Sequence, residues 1–257
     1  TGTGAMNVAV SNTLDNSSNG VIQTNSTDLN LTPATLINDH GKITHAGSGA
    51  LSISTGALSN QSGTIATNGA LSLKAAAGSN SASTLATPRQ ATLDVQSLDN
   101  HAGGYIGADS ITLKAQGAVD NRAGTLEANN GVSVTADSLA NDGGSLKNVG
   151  TSALSVGTTN ALTNTAGGAI GGKGAVSVSA GSVDNSSGSL LAGQALSVQS
   201  NGAITNAAGL VQANGNLSLR AQGAINNSAG QIEANGTNST LALSGSNVDN
   251  SDGRIAN

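Results

Sequence analysis

The sequence predicts an all-β fold, a right-handed parallel β-helix of about twelve coils of roughly twenty-one residues each. Three observations carry this expectation: a motif that returns at that period, short runs in which apolar and polar residues alternate, and a composition that can fill only a narrow core. Residues 1–257 read as one repeat domain.

The composition limits the core first. The chain has no Phe, Trp or Cys, and Tyr105 is its sole aromatic residue, so Leu, Ile, Val and Ala must fill any interior. Gly occurs 36 times and Pro twice, amid abundant Asn, Ser, Thr and Ala, the residues of tight turns and slim strands. Disorder does not fit, because apolar residues make up 37% and recur in alternating runs such as Leu71-Ser72-Leu73 and Val132-Ser133-Val134. A net charge of −5 with nine scattered Lys and Arg offers no basic stripe for phosphates, which argues against nucleic acid as a partner. No run approaches the ~18 apolar residues of a membrane span. The opening Thr1-Gly2-Thr3-Gly4-Ala5-Met6 has no basic-then-apolar signal region, which fits a processed or internal segment. Without cysteines no disulfide can hold the coils, so stacking must.

The period comes from a motif of apolar residue, any residue, Asn, two or three residues, then Gly. Its Asn falls at Asn16, Asn38, Asn60, Asn100, Asn121, Asn141, Asn164, Asn185, Asn206, Asn227 and Asn250, mostly 20 to 23 residues apart. Equivalent residues of successive coils lie above one another, so these side chains form a column. A stacked carboxamide can donate to one neighbour and accept from the other. An antiparallel meander with Asn-Gly hairpins gives no reason for that spacing. The 40-residue step from Asn60 to Asn100 holds either two coils with one anchor lost or one coil with a loop insertion; the insertion, at 74–90, is favoured because Ser, Ala, Thr and Pro88 there show no alternation.

Within a coil three short strands are expected, for example near Val119–Asn121, around Leu126 and Ala128, and over Val132–Ala136. Glycines mark the turns, notably in Asn68-Gly69, Asn130-Gly131, Asn214-Gly215 and Asn235-Gly236, where a left-handed backbone is easily adopted. One such coil buries too little to offset its conformational entropy, and only stacking turns its bare edges into ladders. At ~4.8 Å per strand step, a dozen coils make a rod on the order of 60 Å long.

Segments such as Val119-Asp120-Asn121-Arg122-Ala123-Gly124-Thr125-Leu126-Glu127-Ala128 and Ile225-Asn226-Asn227-Ser228-Ala229-Gly230-Gln231-Ile232-Glu233-Ala234 resemble the haemagglutinin repeats of filamentous haemagglutinin and of contact-dependent growth inhibition exoproteins. The resemblance covers essentially the whole chain. It implies a shaft of a two-partner secretion exoprotein, exported through an outer-membrane β-barrel transporter and projecting from a Gram-negative cell. In that family the shaft carries adhesive or receptor-binding regions and, in the growth-inhibition branch, a toxin at its far end. Neither a secretion domain nor a non-repetitive toxin is recognised here, so the chain is expected to be an internal repeat segment.

Candidate chemistry is sparse. His40, His45 and His101 do not share a column and lack zinc-ligand spacing, so they are read as solvated surface residues with no metal. The Asp preceding the anchor recurs at Asp15, Asp99, Asp120, Asp184 and Asp249; calcium between coils is conceivable, but an outward polar face that discourages lateral aggregation fits better. Asp249 and Asp252 have no obvious basic partner, and no Ser has a His and an acid at nucleophile spacing. No catalytic or cofactor-binding residue is assigned. Polysaccharide-degrading enzymes also use parallel β-helices, but charged residues at 9% and a single aromatic argue against that chemistry. The expected function is thus a non-catalytic shaft segment of a large secreted adhesin or toxin-delivery exoprotein. The alternative is an adhesion module whose host or bacterial receptor docks on an irregular coil or on the 74–90 loop.

Overall fold

The computed structural model describes residues 4–257, so the first three residues of the Thr1–Met6 opening lie outside the described residues. Every regular element among them is a β-strand, and every strand pairing is parallel. The chain winds through two sheets, one of 19 strands and one of 12, each strand bonding to its counterpart one coil earlier and one coil later. This is a β-solenoid of about twelve turns.

Alternation along each strand sends every second side chain inward, and the parallel register stacks those side chains in four aliphatic columns. In the large sheet one column runs Leu51, Leu71, Ala91 and Ile111, and its neighbour runs Ile53, Leu73, Leu93 and Leu113. The 12-stranded sheet supplies Ile43, Ile65, Leu85 and Ile106. The fourth column, ahead of each anchor Asn, includes Leu98, Val119, Leu139 and Leu162. All of these are buried, and no Phe, Trp or Tyr ring enters the core. The interior is as wide as aliphatic side chains meeting from the faces of a coil, and composition had set that width.

The three expected strands per coil are present from Ser110 onward, for instance Ser110–Ala115, Ala118–Asp120 and Thr125–Ala128. Earlier coils merge two of them into one ten-residue strand, as in Ala50–Ser59 and Gln90–Asp99. The split first occurs at Gln116-Gly117, where the backbone turns out of the ladder.

Residues 74–90 are not a loop insertion. The stretch completes strand Ala70–Ser79, makes a turn, forms Thr84–Ala86 and enters Gln90–Asp99, all in register: Lys74 pairs with Asp94 and Leu85 with both Ile65 and Ile106. The 40-residue interval is therefore two ordinary coils with Asn80 as the additional anchor. Two substitutions conceal it. Gly78 stands where other coils carry an aliphatic residue, and Leu98 of the next coil leans to within 3.5 Å of the vacant Cβ position. Ser83 stands where others carry Gly, and its hydroxyl donates to Asn80 Oδ1 at 2.7 Å.

The anchor turns also revise the expected role of glycine. In every such turn the second residue after Asn has φ between 51° and 62°, and it is usually Ala or Ser, as at Ala123, Ser187, Ala208 and Ala229. Two turns carry an extra left-handed glycine, Gly103 and Gly167, but the Gly that closes the turn, as at Gly124, has no such φ. It is required because a Cβ there would fall 1.7 to 2.4 Å from the anchor's carbonyl oxygen one coil earlier, as at Gly124, Gly188 and Gly230. The Asn-Gly pairs behave alike: only Gly131 is left-handed, at φ 128°, while a Cβ on Gly69 would meet Gly49 O at 1.4 Å. Coil-to-coil spacing, more than local backbone freedom, places the glycines.

Adjacent residues of one turn should therefore respond oppositely. Ala229→Gly removes a left-handed Cβ, a strain of about 1 kcal/mol, and is expected to stabilise. Gly230→Ala drives a Cβ into Asn206 O and is expected to destabilise by more than that gain. Chemical denaturation of both variants checks this, and a shared sign would refute the division of roles.

Candidate functional site

The most regular polar feature is the buried asparagine column. Nδ2 of each anchor donates to Oδ1 of the anchor one coil on, from Asn16 through Asn38, Asn60, Asn80, Asn100, Asn121, Asn141, Asn164, Asn185, Asn206 and Asn227 to Asn250, at 2.6 to 2.9 Å throughout. In most anchors the same nitrogen also reaches two carbonyls, one in its own turn and one in the next coil; for Asn185 these are Gly188 O at 3.3 Å and Leu210 O at 3.1 Å. From Asn38 to Asn227 the anchors are 0 to 1% exposed, so each amide has exchanged water for fixed partners. The arrangement joins coils and offers no reactive group.

The Asp preceding the anchor has a local task that the sequence reading missed. Asp15, Asp99, Asp120, Asp184 and Asp249 each accept, through Oδ1, the backbone N–H of the residue just after the anchor, at 2.9 to 3.1 Å. This is an Asx turn, which satisfies a donor the bending chain would otherwise leave open. In two coils where Ser59 or Thr163 takes that position, an Asp from the coil below substitutes: Asp39 accepts from Gln61 N–H at 2.8 Å and Asp142 from Thr165 N–H at 2.9 Å. The hydrogen bonds from Ser17 and Ser251 hold the carboxyls of Asp15 and Asp249 below the usual carboxylate range.

The three histidines diverge. His40 is exposed in a left-handed turn position. His45, expected at the surface, is 1% exposed. The strand Lys42–His45 alternates, so His45 points inward with Ile43. Its Nε2 faces Ser26 O at 3.0 Å and Thr27 O at 3.2 Å and so carries the proton, while Nδ1 accepts from the Thr67 hydroxyl at 2.8 Å. The period-two pattern was the available signal. It sits in a second corner column, between Thr24 and Thr67, that becomes alanine-rich at Ala108, Ala128 and Ala192.

His101 lies beside the stacked pair Asp99 and Asp120, and the three offer ligand atoms within 4.8 Å of one another. Both carboxylates already have partners: Asp99 the His101 ring and backbone, and Asp120 a two-pronged contact with Arg122 at 2.9 and 2.5 Å. In each of these two coils the residue after the anchor bonds the Asp before it, through the His101 ring in one and the Arg122 guanidinium in the other. Arg122's side-chain hydrogen bond is the main reason that Asp120's carboxyl lies below its usual range; partial burial opposes it, and Arg122's charge and backbone N–H assist.

A stack of this kind, joined by a continuous amide ladder, defines a repeat-built β-solenoid. The haemagglutinin repeat family matches residues 1–62, 46–123, 119–171 and 153–257, and the chain belongs to that family. A relative, "tRNA nuclease CdiA-2" of Burkholderia pseudomallei (strain 1026b), is 59% identical over 71 residues, which is 26% of this chain and 2% of the relative. The chain thus spans a small part of the length of the curated relative it matches. No solved structure matches. The similarity places the chain among the repeat regions of filamentous haemagglutinin and contact-dependent growth inhibition exoproteins.

Two outcomes test the column and its flanking carboxylates. Asn185→Ala leaves buried polar groups unpaired on both neighbours and is expected to cost about 1 to 3 kcal/mol. Asn250→Ala, at an exposed position, is expected to cost clearly less. Equal, small losses in chemical denaturation would reduce the anchor to a turn former. For Asp120, a folded-state pKa below the unfolded value means that its stabilisation is present above about pH 4 and lost as pH falls through the folded value. The stability gap between the parent chain and Asp120→Asn, at most about 1 kcal/mol for so exposed a pair, should therefore close toward pH 2. A gap independent of pH would rule out the charge as its source.

Proposed function

We propose that this chain is a non-catalytic shaft segment of a large secreted exoprotein that extends an adhesive or toxic tip from a Gram-negative cell. The observation that carries the reading is the unbroken stack: aliphatic columns fill most of the interior, and each anchor amide from Asn16 to Asn227 bonds to the anchor of the next coil. A solenoid so built gains length with each coil at constant width. Membership of the haemagglutinin repeat family supports an extracellular setting and export of the parent protein through an outer-membrane β-barrel transporter. The tRNA nuclease activity in the Burkholderia relative's name belongs to that protein, of which the match covers 2%. No helix of the described residues is long and apolar enough to cross a membrane.

Removal of residues 165–206 joins Asn164 to Ala207, one position after an anchor in either case, and so deletes two whole coils in register. Solution scattering should report a rod shorter by about 10 Å, at ~4.8 Å per coil. The parent protein bearing the same deletion should still reach the cell surface and keep the activity of its tip. A compact particle, or complete loss of tip activity from this deletion, would overturn the spacer reading.

A further inference from the structure

The sole aromatic side chain of the protein lies on the outer face of the 12-stranded sheet, in strand Tyr105–Ala108, and is 36% exposed. Its ring lies along its own strand over Gly107. A Cβ at position 107 would fall 2.4 to 2.6 Å from the phenol oxygen and ring carbons. Gly107 has no left-handed φ, so its missing side chain serves to seat the ring, one face on the backbone and the other toward solvent.

The surroundings of the ring form a bounded groove. In the outward position that Gly107 occupies, the two preceding coils carry Ala86 and Ala66, which keep the floor low; the next coil carries Glu127 and the one after it Lys147. Glu127 and Lys147 are paired at 2.9 Å. Pro88 and Asn129 complete a cavity of about 350 Å³, at the small end of small-molecule sites. Burial and the Glu127 charge hold the Tyr105 hydroxyl above its usual range, so it is a neutral donor at the edge of the groove.

The geometry points to a binding site for a neutral saccharide, one pyranose stacked on Tyr105 with its hydroxyls on the Glu127 and Lys147 pair. The aromatic face suits the C–H face of a sugar ring. Glu127 and Lys147 neutralise each other, so neither an anion nor a cation gains from entering, whereas a hydroxyl can donate to the carboxylate and accept from the ammonium. A small apolar floor that ends in a balanced charge pair matches a ligand with one flat apolar face and a polar rim. This site adds to the shaft reading and does not depend on what the shaft carries.

With no Trp or second Tyr in the chain, intrinsic tyrosine fluorescence reports this one position. Titration of the 257-residue chain with neutral tetrasaccharides of glucose, galactose, mannose and N-acetylglucosamine should give a saturable change with at least one of them, and calorimetry should agree. Tyr105→Phe should keep the affinity within a few-fold. Tyr105→Ala should lose about tenfold, the scale of one aromatic contact. Gly107→Ala, whose added methyl would take the space that the ring occupies and has only Tyr105 atoms as its nearest neighbours, should lose a comparable factor with unchanged circular dichroism. Absence of any saturable binding, affinity unaltered in Tyr105→Ala and Gly107→Ala, or binding confined to sulfated glycans and abolished by salt would each overturn the assignment.

Discussion

The distance between one coil and the next governs this molecule. Strands in a sheet sit ~4.8 Å apart, so every residue lies against its own counterpart, and each position must tolerate a copy of itself above and below. Aliphatic side chains meet that demand by nesting in columns, and the anchor amide meets it because it is both donor and acceptor. Glycine meets it where the backbone of the coil below leaves no room for a methyl group. Stacked carboxylates need partners, and where Asp99 lies on Asp120 the His101 ring bonds the first and the Arg122 guanidinium pairs with the second.

The same constraint explains what was legible in the sequence. Period, parallel stacking and the aliphatic core follow from residues that repeat, and repetition can be read without coordinates. The hidden coil at 74–90 was legible only as the less favoured of two readings, because Gly78 and Ser83 remove both flanks of the motif while leaving Asn80 in place. Stacking rescues it: Leu98 fills the space over Gly78, and the Ser83 hydroxyl bonds the anchor amide. Each compensation comes from a residue with no special signature in the linear text.

The polar sites were legible in part. The Asp before the anchor was visible, but its bond to the next backbone N–H and its replacement by Asp39 or Asp142 from a neighbouring coil emerge only in three dimensions. His45 was misassigned to the surface although alternation with Ile43 pointed it inward. The single aromatic stood out in the composition, yet its setting depends on Gly107, Ala86 and Glu127, which lie on three different coils.

The asparagine column has a direction. Every amide nitrogen points toward the C-terminal coil and every amide oxygen toward the N-terminal one, from Asn16 to Asn250. The side-chain dipoles thus add along the axis, and the shaft has an electrical head and tail. Each finished coil presents one outward-facing amide N–H, backed by a row of strand groups, to the residues that follow it. The next anchor can dock there in a single orientation, much as a crystal face accepts only one lattice arrangement. To a chain that emerges N-terminus first, the completed portion thus offers one register and one polarity for the next coil through the same hydrogen bond.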